Sequence, residues 1–277
     1  MNTTAAPDVF ENAPLSGAER FGLEYALSST PPANFPKLEE EEMTEDINHF
    51  VFYKKFTCKC CNNEFQNWFP KEKRARLSKL DSDLRPIYTP VDPAFYDIVI
   101  CPQCGYGAPS ATFEGILPFQ KDIIKQVVYP QFKYSEFEPR YSVIDAIQRY
   151  KYALYVSTLK SPNKNGERAF IALKLSWFYK EIEDMENNRI FAELAYNGFI
   201  RAIAEETPPI MGMNYDTLSY IMSALAITIG KPEAALLTIS KVMTSKTASK
   251  QLRDMAFNLK EDIAETRKKE KATQAQA

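Results

Sequence analysis

The sequence predicts a mainly α protein in which a small β-containing module precedes a helical repeat domain, and three observations carry that expectation. Two C-x-x-C pairs lie in short aromatic and β-branched segments of the first half. From Pro118 onward, apolar residues recur at helical spacing between regular breakers. Within those helices one pattern of small, large and small residues occurs three times.

Composition sets the bounds. A chain of 277 residues with 45% hydrophobic side chains can bury a real core. Its 34 Lys and Arg against 36 Asp and Glu leave a formal charge of −2. That balance provides no long-range field to collect nucleic acid or an anionic membrane, so charge-driven binding must be local. Residues 1–21 have no basic, then apolar, leader pattern, and no stretch approaches the ~18 apolar residues of a membrane span. The expectation is a cytoplasmic protein with no membrane partner. Residues 1–47 hold five prolines and the acidic run Glu39 to Glu42, and read as a disordered arm, with a short helix possible over 18–27. The acidic run reads as a solvated stretch.

Residues 48–117 form the β-containing module. Aromatic and β-branched residues in 50–69 and in "FYDIVI" (95–100) predict short strands flanking the two cysteine clusters, with a long connection between them. Cys58 and Cys61 make one C-x-x-C, Cys101 and Cys104 the other, with thirty-nine residues between the pairs. Two intervening residues let the backbone wrap so that both sulfurs of a pair face one ion; two such knuckles complete a tetrahedron for a structural Zn²⁺. Five cysteines, an odd number in two clusters, suit thiolate ligands better than disulfides. Gly105 stands where the second knuckle needs positive φ. The module is therefore zinc-ribbon-like, and a closed four-sulfur site leaves no position for a catalytic water, so an enzyme is not expected. Cys60 is spare: a bystander, an alternate ligand or an oxidisable thiol. The rival readings are unrelated reduced thiols and a redox dithiol, although a redox C-x-x-C opens a helix and Cys101 follows a strand.

Other signals are weaker. His49 is the only histidine, which leaves little room for a catalytic triad. Lys71, Lys73, Arg74 and Arg76, near Trp68 and Tyr88, are candidate phosphate contacts for a nucleic-acid partner; the bland alternative is a solvated helix face. In "DSDLRPIY", Asp81 or Asp83 is expected to cap a turn and pair with Arg85; the functional alternative is a polar pocket lined by Asp83, Arg85, Tyr88 and Tyr96.

Residues 118–270 form the helical domain. Helices are predicted over 142–159, 167–183, 188–206, 215–229, 232–243 and 249–269, separated by "SPNKNG", "TPP" and Gly230 ahead of Pro232. Ala146, Tyr150 and Ala153 share their spacing with Ala195, Phe199 and Ala202, and with Ala235, Ile239 and Val242. A small residue admits a neighbouring helix and the large one fills the groove. The pattern resembles the second helix of tetratricopeptide (TPR) repeats, with wider spacing than that family's, so the domain is TPR-like; ordinary helical hairpins predict the same kind of stack. Residues 271–277 read as a disordered tail.

The ordered run "FTCKCCNNEF", "KEKRARL", "DSDLRPIY", "PAFYDIVICPQCGYGAP" and then helices resembles a bacterial family known only as domain of unknown function 2225, over about 50–260. Its first knuckle usually reads C-P-x-C; here Lys59 replaces the proline while Cys58 and Cys61 keep the ligand places. The resemblance implies a zinc-ribbon-like part and a TPR-like part, and no activity. The functional expectation is a non-enzymatic zinc-binding scaffold whose helical surface takes a protein or peptide partner, with nucleic-acid binding through 71–79 and thiol redox chemistry as alternatives.

Overall fold

A computed structural model describes residues 46–134, 136–160 and 165–274, with side chains described as far as 265. The arm expected over 1–47, with its helix over 18–27, falls outside the described residues except at its last two positions. Among the described residues, three two-stranded antiparallel hairpins come first and seven helices follow.

Hairpin one pairs β1 (Val51–Thr57) with β2 (Glu64–Pro70), and hairpin three pairs β5 (Ile98–Ile100) with β6 (Gly107–Pro109). In the first, Thr57 pairs with Glu64; in the last, Ile100 pairs with Gly107. Each register thus closes on six turn residues that hold one cysteine cluster. Between them lies a hairpin that the sequence reading left as a connection: β3 (Arg76–Leu80) with β4 (Pro86–Thr89), irregular between Leu77 and Lys79. Its residues are mostly exposed, so no apolar face marks it as strand. The basic stretch is accordingly a turn and a strand, not a helix face.

The helices match their expected places closely. Short α1 (Pro118–Ile123) runs into a π-helical turn over Ile124–Val128. Then come α2 (Val143–Lys160), α3 (Asn165–Glu181), α4 (Met185–Glu205), α5 (Tyr215–Thr228), α6 (Pro232–Thr244) and α7 (Lys250–Gln274). The starts are chemically capped. Ser142 and Asp145 bond each other's backbone N–H at α2, Asp184 accepts from the Asn187 N–H at α4, and Asn214 from the Thr217 N–H at α5. Gly230, at φ +73°, ends the turn before Pro232 opens α6. Helix α7 continues four residues into the stretch expected as a tail, and 275–277 lie outside the described residues. No described helix is long and apolar enough to cross a membrane.

All nine residues of the repeated pattern, on alternate helices α2, α4 and α6, are buried at 0% relative exposure. Each helix packs on its chain neighbours, most extensively α3 on α4 and α5 on α6. Helix α2 also carries the strand half. Arg149 donates to the Ile98 carbonyl of β5 and to Asn67 of β2, the Tyr150 hydroxyl to the Ala94 carbonyl, and the Tyr152 hydroxyl to the Gly105 carbonyl. As a result one continuous core runs from Cys58 through α2 to Ile263.

Candidate metal centre

The two cysteine turns are built alike, bond for bond. In the first, the Cys58 N–H donates to the Asn63 carbonyl at 2.9 Å and the Asn62 N–H to the Cys58 carbonyl at 2.7 Å. In the second, the Cys101 N–H donates to the Tyr106 carbonyl at 2.9 Å and the Gly105 N–H to the Cys101 carbonyl at 3.0 Å. Both turns need a left-handed residue after the second cysteine, supplied by Asn62 at φ 62° and Gly105 at φ 71°. Asparagine reaches that region more cheaply than most side chains, which is why the first knuckle closes without glycine.

Gly105 answers a second demand that Asn62 does not. A Cβ there would stand 2.6 Å from Phe132 Cγ and 2.7 Å from the Tyr152 hydroxyl, so α2 presses directly on this knuckle. Beneath both turns, Phe113 packs edge-on against Phe56 and Phe65 and stacks on Tyr106 at 5.0 Å, tying the two hairpins together.

The hairpins bring Cys58, Cys61, Cys101 and Cys104 together with all four Sγ atoms within 4.8 Å of one another. Two approaches run between the knuckles, Cys58 to Cys104 and Cys61 to Cys101, each 3.6 Å. Cys58, Cys101 and Cys104 are buried and Cys61 partly so. Such a set can hold a metal ion. Without a cation the thiols lean on each other: hydrogen bonds from Cys104 and Cys58 hold Cys101 far below the usual thiol range, and donation to Cys101 pushes Cys58 up to about 12. Cation binding therefore displaces protons from this cluster. Cys60 is buried with its Sγ 3.9 Å from the Lys121 carbonyl; it is not one of the four sulfurs, but a hydrogen bond with Cys104 holds its thiol below the usual range. Sequence reading missed the polar surround: Asn63 Nδ2 lies 4.0 Å from Cys101 Sγ, and Gln103 Oε1 3.9 Å from Cys61 Sγ. The signal was weak, since Asn63 is only the residue opposite Tyr106 when the two motifs are aligned.

The other candidate residues lie elsewhere. Asp83 accepts the Arg85 N–H at 3.1 Å, closing the expected turn, but its ion pair is with Lys180 at 2.8 Å. Arg85 is buried against α3, donating to the Trp177 carbonyl at 2.8 Å and pairing with Glu181. That puts a cation at a helix C-terminus, where the dipole favours it. The Tyr220 hydroxyl on α5 donates to the Ser82 carbonyl, which pins the same turn from a second helix. Tyr88 lies on β4, half-buried. Tyr96 is buried elsewhere, stacked on Tyr141 and donating to the Pro139 carbonyl, so it and Arg85 engage different neighbours. Lys73, Arg74 and Arg76 are exposed, and the half-buried Lys71 donates to the Asn48 carbonyl at 2.6 Å.

Residues 51–263, from the first strand of the first knuckle through most of α7, match the model of a family described as uncharacterized and conserved in bacteria. The chain belongs to the DUF2225 family. No curated protein and no solved structure matches it. The matched span of this DUF2225 chain includes both cysteine knuckles and all nine residues of the buried helical pattern, so the family unit comprises the strand half and the helical half together.

Proposed function

We propose that this DUF2225 protein is a non-enzymatic scaffold, in which a structural zinc ion stabilises a zinc-ribbon-like half and a TPR-like helical half presents a surface to a protein or peptide. The observation that carries the reading is the closed set of four mutually adjacent sulfurs. A tetrahedron with Zn–S near 2.3 Å has sulfur edges of about 3.8 Å, and the pairs Cys58–Cys104 and Cys61–Cys101 stand at 3.6 Å. Four thiolates fill a tetrahedral zinc and leave no place for a hydrolytic water, which favours a structural ion. A redox dithiol fits less well, because the Cys101 pair follows strand β5 and closes a hairpin rather than opening a helix.

The helical half supports a partner surface through large apolar side chains left in water, Ile200, Leu237 and Phe257 among them. The second reading, an anionic partner such as nucleic acid, draws on the exposed Lys73, Arg74 and Arg76. Two measurements test the proposal. Purified protein should hold one equivalent of zinc, lost together with cooperative melting on chelation. Leu237→Glu with Phe257→Glu should abolish copurification of a stoichiometric protein partner at unchanged Tm, whereas a partner lost only with Arg74→Glu and Arg76→Glu would move the assignment to the second reading.

A further inference from the structure

Cross-strand register divides the first hairpin into two faces. Phe56 and Phe65 pair directly and pack on Phe113, and Asn67 takes a hydrogen bond from Arg149, so that face meets the core. The opposite face carries Tyr53 with Trp68, Lys55 with Gln66, and Thr57 with Glu64. Apart from the half-buried Trp68, all of these side chains are exposed.

Two features of this outer face suit a ligand. The Tyr53 ring stacks on Trp68 at a centroid distance of 3.7 Å, and Trp68 is itself packed against the buried group of Phe50, Val51, Tyr96 and Tyr141. The stack is thereby held in place, and Tyr53, 50% exposed, ends it in water. Beside it, Lys55, Phe56, Thr57, Glu64, Phe65 and Gln66 line an open hollow of about 350 Å³, within the size range of small-ligand sites.

Positive charge is concentrated on the same hairpin and the turn that follows it. Residues 51–80 hold eight Lys and Arg against Glu64 and Glu72, whereas the formal charges of residues 81–277 cancel. The Lys71 N–H donates to the Phe50 carbonyl and continues the β1–β2 register, so the turn bearing Lys73 and Arg74 leaves the hairpin at its Tyr53–Trp68 end. Trp68 and Lys71 are three residues apart, at most ~10 Å. Lys55, Lys73, Arg74 and Arg76 are exposed and make no ion pair among the described residues.

We propose that this face binds single-stranded RNA, with one base stacked on Tyr53, its neighbour in the hollow, and the phosphates against Lys55 and the basic turn. An exposed ring beside unpaired cations matches unstacked bases on a polyanion; an acidic peptide would use the cations alone. At the hollow, Thr57, Glu64 and Gln66 supply acceptors for base amino groups and for the ribose 2′-hydroxyl that DNA lacks. The inference rests on the second reading, an anionic partner at the basic turn, and names both that partner and the surface that completes the site.

Fluorescence anisotropy of a short labelled oligouridine with the full-length, metal-bound protein tests it. Binding should saturate at low salt and weaken steeply as salt rises. Tyr53→Ala should weaken it about ten-fold at unchanged salt slope and unchanged Tm, and Tyr53→Phe should restore it. Lys73→Glu with Arg74→Glu should instead flatten the slope of log affinity against log salt by about 1.4, two phosphate contacts at ~0.7 each. The matching oligodeoxyuridine should bind several-fold less tightly, and an RNA duplex or polyglutamate should compete poorly. Equal affinity for the DNA would overturn the RNA assignment. Salt-sensitive binding that ignores Tyr53→Ala and accepts duplex or polyglutamate as readily would sink the single-strand site while leaving an anionic partner at the basic turn. No binding to any of these polyanions at low salt would remove both.

Discussion

The strand half and the helical half reach stability by different routes. Along β1 only Val51 is buried and along β3 no residue is, whereas thirteen of the seventeen residues of α3 are. Two-stranded hairpins are marginal in water, and these three pair with no further strands. The first and third close on the four-sulfur cluster and lean on α2, with β5 and β6 buried, whereas the β3–β4 turn is pinned by α3 and α5. In the helices, small and large side chains interlock over successive layers. A half held by a few localised contacts should fail all at once when one is removed; a half held by distributed packing should fail by degrees.

The largest expected effect breaks that contrast open. Cys101→Ser removes a ligand from a site type whose zinc contributes ~10–16 kcal/mol in small peptides. Hydrogen exchange should then show β1, β2, β5 and β6 losing protection while α5 and α6 keep theirs; equal loss in both halves would mean that they do not differ. Next comes Phe199→Ala, at 0% exposure in the middle of α4. It should cost about 3–5 kcal/mol in chemical denaturation without changing zinc stoichiometry. The two knuckles supply a sharper, smaller test. Gly105→Ala places a Cβ within 2.6 Å of Phe132 at a left-handed φ, costing about 2 kcal/mol and weakening metal retention. Asn62→Gly, at the equivalent place, should change stability by under ~1 kcal/mol.

The smallest effect concerns the seam. Burial raises the Asp92 carboxyl above the usual carboxylate range, partly offset by the Ala94 N–H and Arg85. The folded state thus holds this proton more tightly than the unfolded chain. Its contribution is fully present below the ordinary carboxylate pKa and is lost as pH rises through the raised value. Asp92→Asn keeps a cap for Ala94 and should flatten that segment of the curve of Tm against pH, an effect under ~1 kcal/mol.

Legibility in the sequence followed physical cause. The helices were readable because period, caps and breakers coincide, as where Asn214 opens α5 and Gly230 with Pro232 divides it from α6. The meeting of the four cysteines was readable because C-x-x-C spacing nearly dictates where sulfurs point. The β3–β4 hairpin was hidden, since its strands bury almost nothing and leave no alternation to detect. Arg85 was expected to pair with Asp81 or Asp83, yet it pairs with Asp92 at 4.0 Å and, from ninety-six residues away, with Glu181. Short-range spacing carries no information about which helix a turn will dock against. Nor does spacing within α2 indicate that the Tyr152 hydroxyl donates to the Gly105 carbonyl.

Helix α2 has no outer side to spare. Twelve of its eighteen residues are buried, some against α3 and others against the strands and the second knuckle. A chain severed near residue 118 would leave one piece with an uncovered aromatic and cationic flank and the other with hairpins that have nothing to lean on. The border that a reader of the sequence would draw between cysteine module and helical module is therefore crossed by one shared core rather than by a bare linker.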